Sequence, residues 1–258
     1  MNHNHEPFSI ESGPSDLAIL YIHGIMGSPL EFRRIAEALK DENIHFKALL
    51  LPGHGRNGNA FARSSADIWQ THVNQELHHL KNNYSRIILI GHSLGGLLAL
   101  NAALRYPVDG IVLLNTPIKT RISFQQISMS LRVLLSSGNA NDPMIRTYRE
   151  TFSVAFSDWW TMPLWIPRLL DVNRVACQTE KILNEVKVSV ILFQSIHDET
   201  VNPTSAQLLK RGLGDYLLSL TYLNKSTHAY FINEEFNEII KGIKRFLPGS
   251  LRVVNSSN

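Results

Sequence analysis

The sequence contains almost no cysteine, because Cys177 is the only one among 258 residues. One cysteine excludes an internal disulfide framework and a zinc site built from cysteine thiolates. Charge of one sign is not in large excess either: 25 Lys and Arg stand against 22 Asp and Glu, a formal net charge of +3. The basic residues are scattered along the chain, so the sequence predicts no nucleic-acid partner.

Long apolar runs are also missing. The most apolar stretches, such as Ile87–Ile90 and Ile111–Leu114, are far shorter than the ~18–20 residues of a membrane span. Residues 1–7 have neither the basic region nor the apolar region of a secretory signal. The two histidines there, His3 and His5, are typical of a polar terminus rather than of a metal site. We therefore expect a soluble cytoplasmic protein with no metal site and without stable insertion into a membrane.

An alternation of strand and helix patterns is present instead. Six short runs rich in Ile, Leu and Val are typical of strands buried on both faces. They cover residues 17–22, 44–49, 86–90, 110–114, 188–193 and 217–223. Apolar residues between them recur at spacings of three and four, as in the helix predicted from Trp69 to Tyr84. We therefore predict that residues 1–258 form a single α/β domain, with a mostly parallel central sheet and helices on both faces.

Capping residues indicate where two of the helices begin. Ser28-Pro29-Leu30-Glu31 combines an N-cap serine, a proline in the first turn and a glutamate in the position of a capping box. This pattern predicts that the Glu31 carboxylate turns back onto the start of its own helix. Asn233 is predicted to cap the last helix, which is predicted to end near Phe246.

The segment 118–176 interrupts the alternation of strands and helices. It contains no clear strand, and it holds three of the four tryptophans, Trp159, Trp160 and Trp165. An insertion of this length in an α/β sheet is usually functional, so we predict an inserted helical lid, or cap, over the site. The alternative is an additional helical layer that completes the core, because aromatic side chains are common in cores.

The strongest chemical motif is Gly91-His92-Ser93-Leu94-Gly95-Gly96, between a predicted strand and a predicted helix. It is the G-x-S-x-G pattern in a strand-turn-helix context. Such a turn holds the serine in a strained conformation at the N-terminus of a helix, where free N–H groups favour developing negative charge. Ser93 is therefore the predicted nucleophile. The alternative is a glycine-rich turn that only fits a helix against a sheet.

A serine hydroxyl needs a base and an orienting carboxylate, and with this motif the carboxylate comes before the histidine along the chain. His228 lies between the last predicted strand and the last helix, so it is the predicted base. His197 comes too early in the chain. Asp198 follows the preceding strand and is the predicted acid. Glu199 is its nearest rival, and Asp171 is a more distant one.

Two backbone amides are predicted to stabilise the oxyanion of an acyl-transfer reaction. One belongs to Leu94, directly after the nucleophile, and the other to Ile25 in the glycine-rich loop that follows an early strand. His23, which precedes Ser93, and His54, in a glycine-rich turn, are interpreted as structural residues.

With these residues assembled, the chain resembles the α/β-hydrolase superfamily, and within it the bacterial monoacylglycerol lipases and related small carboxylesterases. The resemblance covers nearly the whole core, from about residue 17 to 246. The motifs that carry it are HGIMGSP (23–29), LPGHG (51–55), GHSLGG (91–96), DETVNP (198–203) and STH (226–228).

The resemblance implies that Ser93, Asp198 and His228 form a catalytic triad. It also implies that segment 118–176 is the family's lid, between the sixth and seventh core strands. Ile25 departs from the family pattern, since many of these esterases have an aromatic residue there. The backbone N–H of residue 25 does not depend on its side chain, so the predicted oxyanion donor is unaffected. The difference therefore concerns only the shape of the acyl pocket.

We therefore expect a serine carboxylic-ester hydrolase of lipid metabolism that acts through an acyl-enzyme without a metal or organic cofactor. The apolar insertion favours a small-molecule acyl ester of short or medium chain length, including monoacylglycerols, because burial contributes ~0.8 kcal/mol per methylene. The alternatives are a thioesterase, a lysophospholipase, or another serine α/β-hydrolase such as one that cleaves carbon–carbon bonds. A non-catalytic ligand-binding protein of the same fold is the alternative from a different class. Nothing in the sequence indicates an oligomeric state.

Overall fold

The computed structural model describes residues 5–11, 13–119, 143–154 and 163–247. The strands in this part of the chain are β1 (Phe8–Glu11), β2 (Leu17–Ile22), β3 (His45–Ala48), β4 (Arg86–His92), β5 (Gly110–Leu114), β6 (Val190–Ser195) and β7 (Leu217–Leu223). They form one sheet in the order β1-β3-β2-β4-β5-β6-β7. β1 pairs antiparallel with β3, and the other neighbouring strands are parallel. The predicted α/β class with a mostly parallel sheet is confirmed.

The α-helices of the described residues follow the strands closely along the chain. They are α1 (Arg33–Ala38), α2 (Gly58–Ala62), α3 (Ala66–Lys81), α4 (Leu94–Ala103), α5 (Pro143–Thr151), α6 (Ile166–Ile182), α7 (Thr204–Leu213) and α8 (Asn233–Phe246). Across the described ranges, none of these helices is both long and apolar enough to cross a membrane.

All six predicted strands are present, and three of them have the predicted bounds. β4 continues to His92, so the strand ends at the residue before Ser93, and β6 begins at Val190 rather than at residue 188. The sequence pattern does not predict β1. Its 4 residues alternate between half-buried and exposed, and it lies at the edge of the sheet, so it carries no continuous apolar run.

Helices cover both faces of the sheet, as predicted. All six residues of β2 are buried, and alternate side chains of the strand point to opposite faces. Leu20 and Ile22 pack into a core with α3, α4 and α6. Ile19 and Tyr21 pack into a second core with α1 and α8. Burial on both faces explains why these strands are almost continuously apolar.

The insertion lies between β5 and β6, which are the fifth and sixth strands of the described residues rather than the sixth and seventh. Its described part contains α5 and the beginning of α6, which continues past the predicted end at Ala176. Trp165 is buried and its Nε1 donates a hydrogen bond to the Gly58 carbonyl at 3.0 Å. This tryptophan therefore belongs to the core. Trp159 and Trp160 lie outside the described residues.

Trp69 provides a test of how α3 packs on the sheet. Its side chain is fully buried, and its Nε1 donates to the Pro52 carbonyl at 2.9 Å. Trp69→Ala should lower the free energy of unfolding by about 3–5 kcal/mol, because it leaves a cavity and an unpaired carbonyl. Ile68→Ala, at a neighbour that is 44% exposed, should change it by less than about 0.5 kcal/mol. Urea denaturation measures both values, and equal losses would contradict this packing.

Candidate active site

Ser93 occupies a strained turn between β4 and α4. Its backbone has a φ of 52° and a ψ of −122°, and residues other than glycine rarely adopt a positive φ. Its N–H donates to the Leu114 carbonyl at the end of β5, at 2.9 Å, and α4 begins at the next residue, Leu94. The serine therefore lies at a helix N-terminus and at the carboxyl edge of the parallel strands, as the motif predicts.

Two glycines allow the backbone segments around this turn to approach closely. A Cβ atom on Gly95 would lie 1.9 Å from the Ile22 carbonyl oxygen, and a Cβ on Gly91 would lie 2.5 Å from the backbone of Gly95. Neither neighbour can move away easily, because both are backbone atoms of buried elements. The two positions therefore require glycine for lack of space.

Asp198 and His228 lie side by side in the loops that follow β6 and β7. His228 Nδ1 is 2.8 Å from Asp198 Oδ2, and Asp198 Oδ1 accepts the N–H groups of Thr200 and Val201 at 2.7 and 2.6 Å. Burial favours the neutral ring of His228, but the charge and hydrogen bond of Asp198 outweigh burial and raise the pKa of His228. The carboxylate is thus fixed by its own loop and orients the imidazole.

Glu199, the nearest rival for the acid, contacts the same histidine in a different way. Its Oε2 accepts the backbone N–H of His228 at 3.1 Å, and its Oε1 accepts the hydroxyl of Tyr148 from α5. Burial, together with the negative charge of Glu199, raises the pKa of Tyr148 well above its ordinary value. Asp171, the distant rival, forms ion pairs within α6. Of the three carboxylates, Asp198 is the one bonded to the imidazole.

Most backbone N–H groups of the loop that follows β2 already have an acceptor. The N–H groups of Gly24, Met26 and Gly27 each donate to an acceptor of the protein, at distances of 3.0–3.2 Å. The Ile25 N–H donates to no acceptor among the described residues. The Leu94 N–H, at the start of α4, has no acceptor within its own helix. These two are the amides that the sequence predicts for the oxyanion.

Two buried histidines hold this loop as neutral side chains. His23 Nε2 accepts the Leu51 N–H, and His54 Nε2 accepts the Met26 N–H, each at 3.0 Å. Burial lowers the pKa of both rings, and a ring nitrogen that accepts a hydrogen bond carries no proton. These hydrogen bonds agree with the structural role predicted for His23 and His54.

The prediction of a capping box at Glu31 is wrong. Ser28 makes no side-chain cap hydrogen bond, and a short 3₁₀ helix, Pro29–Phe32, precedes α1. The Glu31 carboxylate instead accepts the Gly24 N–H at 3.2 Å and contacts His92 Nδ1 at 2.8 Å. The pattern predicts the correct place for a helix to begin, but the glutamate makes tertiary contacts beside the site.

Asn115, directly after β5, is a site residue that the sequence analysis missed. Its backbone has a φ of 47°, and its side chain is buried. Asn115 Oδ1 accepts the Ser195 N–H at 2.7 Å, and Nδ2 donates to the His228 carbonyl at 2.8 Å. It therefore connects the end of β6 to the loop that carries His228. The available signal was a polar residue at the carboxyl end of a buried strand.

The insertion contacts the site at two places. Tyr148 bonds to Glu199, beside Asp198. Ser153, which follows α5, donates its N–H to the Met26 carbonyl at 2.9 Å. Residues 143–154 therefore touch both the loop that follows β2 and the loop that follows β6.

Comparisons with known families and curated proteins find similarity along most of the chain. The family described as serine aminopeptidase, S33, matches residues 13–235. A thermostable monoacylglycerol lipase from Bacillus sp. (strain H-257) is 26% identical over 247 residues, which cover 92% of this chain and 91% of that protein. A carboxylesterase from Bacillus subtilis (strain 168) is 21% identical over 245 residues, which cover 94% of this chain and 96% of that protein.

Solved structures share the fold. One of the metagenome-derived lipolytic enzymes LipS and LipT matches with a TM-score of 0.73 and 21% identity, covering 94% of this chain and 97% of its own. A monoacylglycerol lipase from Paleococcus ferrophilus matches with a TM-score of 0.69 and 16% identity. This match covers 93% of this chain and 98% of that chain. An alpha/beta hydrolase from a lagoon-sediment metagenome matches with a TM-score of 0.62 and 18% identity. This match covers 93% of this chain and 94% of that chain. The predicted α/β-hydrolase fold is confirmed.

The pKa of His228 should show which carboxylate acts on its ring. Asp198→Asn removes the paired charge and should lower this pKa below that of an exposed histidine, because burial then dominates. Glu199→Gln makes the same change at the adjacent residue and should lower the pKa less, because Glu199 contributes less to raising it. An NMR titration of the ring signals measures both shifts. A larger shift in Glu199→Gln than in Asp198→Asn would contradict the pairing.

Proposed function

The chain belongs to the family described as serine aminopeptidase, S33, and from this premise we propose that it is a serine carboxylic-ester hydrolase. One arrangement carries the proposal: Ser93 stands in a strained turn at the N-terminus of α4, and His228 and Asp198 are paired in loops at the same edge of the sheet. The names of two curated relatives, a monoacylglycerol lipase and a carboxylesterase, support it.

In the proposed acylation step, Ser93 Oγ attacks the ester carbonyl carbon while His228 Nε2 takes its proton. Asp198 orients the ring and stabilises the imidazolium, which agrees with the raised pKa of His228. The amides of Ile25 and Leu94 donate hydrogen bonds to the oxyanion. Collapse of the tetrahedral intermediate breaks the carbon–oxygen bond to the alcohol, which leaves with the proton from His228.

In the proposed deacylation step, water attacks the carbonyl carbon of the acyl-enzyme. His228 takes a proton from this water, and the same two amides stabilise the second oxyanion. Collapse releases the carboxylic acid, and the proton returns to Ser93 Oγ. These steps need no metal or organic cofactor.

We propose short- to medium-chain acyl esters, including monoacylglycerols, as the substrates, and segment 118–176 as a lid. Tyr148 and Ser153 of this segment contact loops of the site, as a lid beside the nucleophile requires. The segment is rich in apolar and aromatic residues. Because each buried methylene contributes ~0.8 kcal/mol, such a surface would favour longer acyl chains until the pocket is full.

Aminopeptidase activity is the second candidate, because the family's description names it. An aminopeptidase needs a carboxylate that can bind the α-ammonium group of its substrate. Three carboxylates beside the site, those of Glu31, Asp198 and Glu199, are each already engaged by N–H groups of the protein. Among the described residues, these carboxylates are already bonded to the protein, which favours esters over aminopeptidase substrates.

Hydrolysis of p-nitrophenyl esters of graded chain length, and of monoacylglycerols, tests the proposal. The wild type should show a burst of p-nitrophenol, and a fluorophosphonate should label Ser93, as peptide mass mapping would show. Ser93→Ala should lose the burst and the label and reduce kcat on the order of 10⁴-fold or more, because the nucleophile is gone. His228→Ala should reduce kcat by a similar factor, since the two residues act as a unit.

Ser219→Ala is the matched control, because Ser219 is exposed on β7 and should leave activity and labelling unchanged. Turnover of aminoacyl p-nitroanilides without turnover of esters would favour the aminopeptidase. A clear preference for acyl thioesters would move the proposal to a thioesterase. Equal inactivity of the wild type and Ser93→Ala, with retained binding of a fatty acid, would favour a ligand-binding protein.

A further inference from the structure

Behind Ser93 lies a buried pair of side chains, Glu31 and His92, that the proposed reaction does not itself use. Their side chains are 10% and 6% exposed, and Glu31 Oε2 is 2.8 Å from His92 Nδ1. The other ring nitrogen, His92 Nε2, is 2.9 Å from the His228 carbonyl oxygen. Gly27 leaves room for the carboxylate, because a Cβ atom at that position would lie 1.8 Å from Glu31 Oε1.

The hydrogen bonds fix the orientation of both side chains. A carbonyl oxygen can only accept, so His92 donates to the His228 carbonyl through Nε2. Its other ring nitrogen, Nδ1, contacts Glu31 Oε2, which also accepts the Gly24 N–H. Burial opposes ionisation of Glu31, but the charge and hydrogen bond of His92 outweigh it and lower the pKa of Glu31.

A buried polar pair of this kind contributes little net stability, because removing its groups from water costs about as much as their attraction returns. The position of this pair indicates another role. Glu31 fixes the amide of Gly24, adjacent to Ile25, while His92 directly precedes Ser93. His92 also donates to the backbone of His228. The pair thus connects three segments: the loop that contains Ile25, the turn that contains Ser93 and the loop that contains His228.

We propose that Glu31 and His92 are positioning residues that set the distance between the oxyanion loop and the imidazole of His228. This inference rests on the proposed ester hydrolysis, in which both groups must meet one tetrahedral intermediate. A displacement of about 1 Å between reacting groups can reduce a rate 10²-fold. Asn115 donates to the same His228 carbonyl at 2.8 Å, so loss of His92 should shift this loop rather than release it.

Three variants test the proposal with p-nitrophenyl butyrate, with rates expressed per fluorophosphonate-labelled site. His92→Leu removes the donor to His228 and leaves Glu31 unpaired. The double variant Glu31→Leu/His92→Leu removes both polar side chains and keeps the region filled, so it should fold even where His92→Leu does not. Glu31→Gln keeps an acceptor for the Gly24 N–H and a polar partner for the ring.

We expect kcat to fall about 10–100-fold in His92→Leu and by a similar factor in the double variant, with KM changed less than threefold. The fall in kcat should be no larger in the double variant than in His92→Leu, because the two residues act through one set of hydrogen bonds. Affinity for a trifluoromethyl ketone, an analogue of the tetrahedral intermediate, should fall in parallel with kcat. Glu31→Gln should reduce kcat less than His92→Leu does, because a polar side chain of the same size still lies between the Gly24 N–H and the ring.

Asp171→Leu is the matched control, because it breaks another buried ion pair, with Arg168 in α6. It should lower the Tm but leave kcat per labelled site unchanged. If the double variant behaved in the same way, the pair would be only structural and the inference would be wrong. If the wild type neither cleaved esters nor reacted with the fluorophosphonate, the proposed function itself would fail, and the inference with it.

Discussion

The close approach of the first turn of α4 to the end of β2 is the constraint on which the rest of the site depends. Glycine at position 95 permits it, since a Cβ atom there would lie 1.9 Å from the Ile22 carbonyl oxygen. The same approach brings the loop that follows β2 against Ser93, because a Cβ on Gly24 would lie 3.2 Å from Ser93 Cβ. The positive φ of Ser93 costs about 1–3 kcal/mol, and the packed strands around the turn maintain it.

Beyond the carboxyl edge of the sheet, buried polar side chains form the hydrogen bonds to the backbone that neighbouring strands form within the sheet. Among the residues that the structure describes, no strand pairs with the backbone of the loop that carries His228, so side chains from three other segments bond to it. Glu235 from α8 accepts the Ser226 N–H at 2.8 Å, Glu199 accepts the His228 N–H, and Asn115 donates to the His228 carbonyl. Leaving one such group unpaired costs about 1–3 kcal/mol, which keeps the loop in one conformation.

Local patterns explain which parts of the molecule could be predicted from the sequence. Continuous apolar runs indicate the buried strands, and parallel strands end at one edge, so chain order alone places Ser93, Asp198 and His228 near one another. Glu31 could not be assigned, because a capping box explains its pattern locally and its partner His92 is 61 residues away. The N-terminal edge strand was missed because it is short and half-exposed. The Glu31 contact and the pairing of the edge strand depend on packing between distant segments. The spacing of apolar residues along the chain does not reveal such packing.

The described part of the insertion contacts both the core and the loops of the site. Trp165 is buried and bonded to Gly58, so one end of the insertion is part of the core. At the other end, Tyr148 and Ser153 bond to the loops on either side of the nucleophile. Residues 143–154 are therefore bonded to both loops on which the geometry of the site depends, so a displacement of this segment would break bonds in both loops.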